Sequence, residues 1–202
     1  MTSTSNQIDY SKLFKFNDPL ANQPLRLSPK QDCIHSDEVG KLFCGEWQPL
    51  EPIVLKAVIG GAPFDFLWTT FPPLVCISQR VVDLLLDNRF TGWVVYPVEV
   101  YGRKGEPIHG YHGFAVKSYA GEQDLSRSQI ITKQPTIGVG RAYDVYNRLY
   151  FDESKWDGSD IFRVYYARKI MTHRIRAVFK KAKVTNVRFT PLTEYELDVS
   201  SA

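Results

Sequence analysis

The stretch Trp156–Pro191, WDGSDIFRVYYARKIMTHRIRAVFKKAKVTNVRFTP, reads as strand, capped helix, turn and strand. Thr172 stands where a helix N-cap belongs, because a short hydroxyl side chain suits the first free backbone N–H groups. Ile175, Val178, Phe179 and Ala182 follow at i, i+3, i+4 and i+7, which is one apolar stripe on a helix. His173, Arg174, Arg176, Lys180, Lys181 and Lys183 fall largely off that stripe, so the helix is apolar inside and basic outside. Lysines in its last turn also suit the negative end of the helix dipole. Asn186 then offers a left-handed stop, and the strand after it ends at Pro191.

Charge is concentrated in the same place. From Ile161 to Thr193 there are nine Lys or Arg residues and no Asp or Glu. The whole chain carries 25 basic and 22 acidic residues, which leaves sixteen basic against twenty-two acidic elsewhere. The formal net charge of +3 therefore conceals a strongly basic segment on an acidic body. Three readings of the basic helix stand side by side. It is a solvated face neutralised by the acidic body, a face for an acidic protein partner, or a nucleic-acid face with Tyr165, Tyr166 and Phe189 nearby for stacking.

Working outward, the first half of the chain carries a second copy of the same pattern. At a constant shift of 94, Ser78 falls on Thr172, Arg80 on Arg174, Leu84 on Val178 and Leu85 on Phe179. Phe90 then meets Val184, Thr91 meets Thr185, Gly92 meets Asn186, Val95 meets Phe189 and Pro97 meets Pro191; upstream, Trp68 meets Phe162. Each copy is an aromatic strand, a Ser or Thr cap, a helix of about three turns and a strand ending at proline. The units cover about residues 64–101 and 158–195.

Between and around them, Ile53–Ile59 is rich in β-branched residues and closes at Gly60-Gly61, a strand signal. WVVYPVEVY (93–101) is a strand in which Pro97 marks an edge or a bulge. QDCIHSDEVG (31–40) has room for a short turn, residues 102–113 form a Gly-rich hairpin or loop, and LTEYELDVSSA holds a last short strand. Residues 1–32 are polar and punctuated by Pro19, Pro24 and Pro29, which reads as an extended N-terminal arm. The fold class is α+β: a single domain over 33–202, with a mixed or antiparallel sheet carrying the two strand-helix-strand units.

No catalytic motif competes with the basic helix. His109 and His112 lie three apart in a Gly-rich loop, and Cys33, His35 and Cys44 are soft donors, but neither set has the spacing of a zinc module. Asp152, Glu153, Asp157 and Asp160 lack the alternating carboxylates of a calcium loop, and Gly138 and Gly140 make only a GxG. No metal or other cofactor is expected. An enzyme would need a site assembled from distant residues, seen as a deep polar pocket with perturbed titratable groups. Three cysteines without a CxxC pair fit a reducing cytoplasm, and no apolar run is long enough to span a membrane.

WDGSDIF (156–162), the capped helix after Thr172 and TNVRFTPL (185–192) resemble the C-terminal signature of a family of bacterial immunity proteins from polymorphic-toxin gene neighbourhoods. PLVCISQRVVDLLLDNRFTGWVVYPVEV (73–100) is similar to that family's first helix unit, and GYHGFAVKSYAGEQDLSRS (110–128) to its central strand and turn. The resemblance covers roughly residues 45–195. A related family bears paired CxxCG motifs, which Cys33 and Cys44-Gly45 do not reproduce. The resemblance implies a non-enzymatic cytoplasmic protein that binds a cognate toxin and occludes its active site, in the context of interbacterial competition. It carries over no contact residues and no oligomeric state. The contact face expected from charge alone is Arg174, Arg176, Lys180, Lys181 and Lys183. The rival expectation is a nucleic-acid-binding or regulatory module using the same basic helix, 172–183.

Overall fold

Fifteen strands in four sheets, with three helices packed on them, make up the described part of a computed structural model, namely residues 8–30, 36–72, 74–135, 140–165 and 168–201. β1 (Leu13–Asn17) and β2 (Arg26–Pro29) come first, then α1 (Ser36–Phe43), β3 (Ile53–Ile59), β4 (Phe66–Trp68) and β5 (Val75–Ser78). α2 (Gln79–Asp87) leads to β6 (Trp93–Tyr96), β7 (Val98–Tyr101), β8 (Pro107–Ile108) and β9 (Tyr111–Val116). β10 (Gln129–Lys133), β11 (Tyr143–Asn147), β12 (Ile161–Val164) and β13 (Arg168–Thr172) precede α3 (His173–Lys181), β14 (Arg188–Pro191) and β15 (Glu196–Asp198). The class is α+β.

Two of the sheets are copies of one design. The first runs β4-β5-β9-β6 and the second β12-β13-β1-β14, every neighbour antiparallel. α2 and α3 occupy positions that differ by 94 in the sequence, as the repeat requires. The third strand has a different origin in each copy. Val95 lies opposite Phe114 of β9, and its counterpart Phe189 lies opposite Phe16 of β1, so the chain's N-terminal strand does in one sheet what β9 does in the other. Phe16 and Phe114 meet with ring centroids 6.1 Å apart, and both belong to one apolar core that also takes in Val81, Leu85, Ile175 and Phe179.

Of the residues expected as an extended arm, 13–17 and 26–29 are therefore built in as strands. Leu13, Phe14 and Phe16 are buried, and β1 pairs on both sides; three apolar residues in five are enough to draw the strand into the core. β2 pairs with β3 in a separate mixed sheet, β2-β3-β7-β8, where β3 and β7 run parallel. Pro97 does more than mark an edge. It divides the expected single strand into β6 and β7, which enter different sheets. Residues 36–40, the end of the stretch given room for a short turn, open α1, whose Leu42 and Phe43 are buried.

The repeat needs one correction. Phe66 lies opposite Ile77, and Ile161 opposite Met171, so the link to the next strand is one residue shorter in the second unit. Between β4 and β12 the shift is therefore 95, while β5 and β13 keep 94; the counterpart of Phe162 is Leu67, and Trp68 corresponds to Arg163. A slip of one residue exchanges the two faces of a strand, so matching one aromatic to another pointed to the wrong face.

The corrected register brings out a paired polar device. Asp65 and Asp160 are buried and occupy equivalent places. The Asp65 carboxylate accepts hydrogen bonds from Ser78 Oγ (3.0 Å), Arg80 Nε and Nη2 (3.1 and 2.6 Å), and Thr185 N and Oγ1 (2.8 and 2.9 Å). The Asp160 carboxylate accepts from Thr172 Oγ1 (3.3 Å), Arg174 Nη1 (2.8 Å) and Thr91 N (3.3 Å). Each aspartate thus ties the helix start of its own unit to the turn that ends the helix of the other unit. Ser78 and Thr172 hold the N-cap positions, yet neither hydroxyl bonds its helix; both turn to the aspartates. Arg80 also donates to Ala182 O (2.8 Å) at the end of α3, and Arg174 lies over the Phe90 ring (5.3 Å) just beyond α2. The two helices therefore run antiparallel, head to tail.

Both helices stop in the same way. Arg89 N donates to Leu86 O and Phe90 N to Leu85 O; Lys183 N donates to Lys180 O and Val184 N to Phe179 O. These are Schellman closures with Arg89 (φ 53°) and Lys183 (φ 55°) in the left-handed position. Gly92 and Asn186, expected as the stops, are also left-handed but lie three residues further on. There Gly92 makes room for Ile161 O, which a Cβ would meet at 1.8 Å.

Candidate partner-binding face

α3 turns Ile175 and Phe179 fully inward, and its charged residues stand on the remaining surface. Along the flank of α3 facing the edge strand β14 runs a groove of about 370 Å³, lined by Arg176, Phe179, Lys180, Lys183, Val184, Val187 and Phe189. Its floor is aromatic and aliphatic. Phe189 meets Phe179 (6.3 Å between centroids) and Phe14 (6.5 Å), both edge to face. Its rim is cationic. The Arg176 guanidinium sits over the Phe14 ring at 4.7 Å, which holds a long side chain in one place. Lys180 and Lys183 are exposed and take part in none of the ion pairs found among the described residues.

The five residues singled out by charge are not gathered in one place. Arg176, Lys180 and Lys183 converge on the groove, and Lys181, next to Lys180 in the last turn of α3, does not line it. Arg174 lies at the opposite end of the helix, bound to Asp160 and stacked on Phe90. Two further members of the basic segment are interior. Arg163 is buried, donates Nε–H to Val116 O (2.9 Å) and lies over Tyr119 (5.1 Å). Lys169, opposite it on the next strand, is buried as well, and burial pulls its ammonium down to about 8. The sequence count of nine thus overstates the charge offered to a partner. What the count missed is the apolar floor, whose signal in the sequence is the series Val184-Val187-Phe189 just past the helix.

Other candidate groups are dispersed. His112 Nε2 is 2.6 Å from Gln79 Oε1, His109 is exposed in the neighbouring loop, and Cys33 and His35 lie outside the described residues, as do Tyr166 and Gly138. No three metal-ligating side chains gather among the described residues. The Cys76 thiol is fully enclosed and raised to about 12 by burial, the state of an inert core thiol. Asp152 and Asp157 accept from the backbone N–H groups of Ser154 and Ser159 two residues on, as turn formers do.

A scan against family models matches residues 18–194 to the Immunity protein family (Imm11). The chain belongs to this immunity protein family. The match covers both helix units and the groove of this Imm11 member, and begins one residue after β1 ends. A search of the curated proteins finds no match. No helix among the described residues is long and apolar enough to cross a membrane.

Proposed function

We propose that this Imm11 member neutralises a protein toxin by stoichiometric binding in the bacterial cytoplasm, and that its contact face is the groove between α3 and β14. One observation carries the reading. Arg176, Lys180 and Lys183 surround an aromatic floor in a chain of an immunity family whose residues outside 161–193 are net acidic. Cationic rims over apolar floors suit protein recognition, since the rim steers encounter and sets register while the floor supplies buried area. Inhibition is then occlusion of the toxin's active site, with no bond made or broken by the immunity protein.

The test is co-expression with the toxin encoded in the same gene neighbourhood, followed by calorimetry on the purified pair. Wild-type protein restores growth and binds one to one. Arg176→Glu, Lys180→Glu and Lys183→Glu together weaken binding by well over tenfold; unchanged affinity removes this face from the reading. Retention on heparin at ~0.15 M salt, where phosphate binders with several contacts still hold, would favour a nucleic-acid partner instead.

A further inference from the structure

The duplicated fold supplies its own control for the groove. Strand pairing makes Val95 of the first unit equivalent to Phe189 of the second, the matching helix stops make Phe90 equivalent to Val184, and the same shift of 94 sets Trp93 on Val187. Around them, Val82, Leu86 and Arg89 correspond to Arg176, Lys180 and Lys183. The first unit carries two aromatic rings at the three floor positions, and the second carries one. In the first unit the Trp93 indole lies nearly parallel to Phe114, 6.4 Å between centroids, and donates Nε1–H to Phe90 O at 2.8 Å. In the second, Val187 is the smaller side chain at Trp93's position, and the Val184 carbonyl is the counterpart of that acceptor by the 94-residue register. The open groove borders this position.

We infer that the groove is a socket for one aromatic side chain, an indole above all, presented by a partner segment in which carboxylates flank it. The ring takes the place that Trp93 takes in the first unit, between the end of α3 and β14, and its N–H reaches the Val184 carbonyl. The carboxylates meet Arg176, Lys180 and Lys183. These three cations are what distinguishes the socket from its counterpart, where Val82 and Leu86 are apolar and only Arg89 is charged. A buried aromatic anchor ringed by polar contacts is the usual centre of a protein interface. The inference rests on the proposed toxin-binding role of this face and names the chemistry of what it binds.

The probe is an acetylated, amidated pentapeptide, Asp-Glu-Trp-Asp-Glu, titrated into the ¹⁵N-labelled full chain. Controls are the same peptide with Ala for Trp, and single-stranded oligo-dT. The Trp peptide should shift the amide resonances of Val184, Val187 and Phe189 and bind at least tenfold tighter than the Ala peptide. Val187→Trp, which fills the socket as Trp93 fills its own, should abolish those shifts with no loss of melting temperature; Lys183→Glu should weaken them. Absence of shifts, equal response to the Ala peptide, or an undiminished response in a folded Val187→Trp protein overturns the inference. Stronger binding of oligo-dT at the same residues overturns it in favour of nucleic acid. Against the toxin, loss of binding by the triple charge reversal but not by Val187→Trp rejects the aromatic socket and keeps the face. Binding unaffected by either rejects the face itself.

Discussion

Replacing Asp65 by Ala tests how the two units are held together. The carboxylate is 9% exposed and accepts five hydrogen bonds, two of them from Thr185 of the other unit. Removing one partner of a buried pair typically costs about 3–5 kcal/mol, mostly because the donors left behind lose their acceptor. Arg80 is 49% exposed and recovers part of its solvation from water, which lowers the expected loss to about 2–4 kcal/mol. In a chain of this size that is a fall in melting temperature of about 4–16 °C. Asp160→Ala should cost roughly half as much, since its carboxylate has three partners, two of them at 3.3 Å. Urea titration of both variants and the double mutant gives the losses and their coupling. The acid limb supplies a second readout. Burial raises the Asp65 carboxyl, but the bonds from Arg80, Thr185 and Ser78 outweigh it and hold the group below the usual aspartate value. A depressed carboxyl contributes stability that is present above its unfolded value near 3.8 and is lost as pH falls through the folded one. Asp65→Asn should flatten that loss below about pH 4. A deficit under ~1 kcal/mol for Asp65→Ala, or a larger one for Asp160→Ala, would refute the reasoning.

Gly92→Ala should cost about 2–4 kcal/mol by urea titration, because the new Cβ meets Ile161 O and the residue is left-handed (φ 91°). Arg89→Gly should raise stability by up to about 1 kcal/mol, since glycine adopts the left-handed helix stop without the Cβ clash that arginine suffers. Lys169 titrates near 8 in the folded protein against 10.5 in the unfolded chain, so the unfolded chain binds more protons between those values. Melting temperature should therefore rise from pH 8 to pH 9.5 more in the wild type than in Lys169→Met.

Much of the fold was legible because two copies of one pattern reinforce each other. The 94-residue shift located both helices to within a residue of their observed starts, and β3 spans the residues its β-branched run implied. Less was legible where local signals are silent about distant partners. LFKFN carries a strand pattern, but nothing near it says that it will pair with residues some 155 positions away. The same holds for the candidate face. Composition marks Arg174 and Lys183 as equals; only the fold shows that one is bound to Asp160 while the other borders a groove. Charge counting also included Arg163 and Lys169 with no sign that they are buried, because a strand buried on both faces leaves no periodicity to show which way its long cationic side chains turn.

The placement of β1 has a consequence for how the molecule is made. Synthesis delivers Leu13–Asn17 well over a hundred residues before both strands that flank them, β13 and β14. Until those emerge, an apolar segment waits without its neighbours, and closing so long a loop is entropically slow. The first unit draws β9 from nearby and can assemble early, so the nascent chain should pass through a half-built form whose missing half contains α3 and β14.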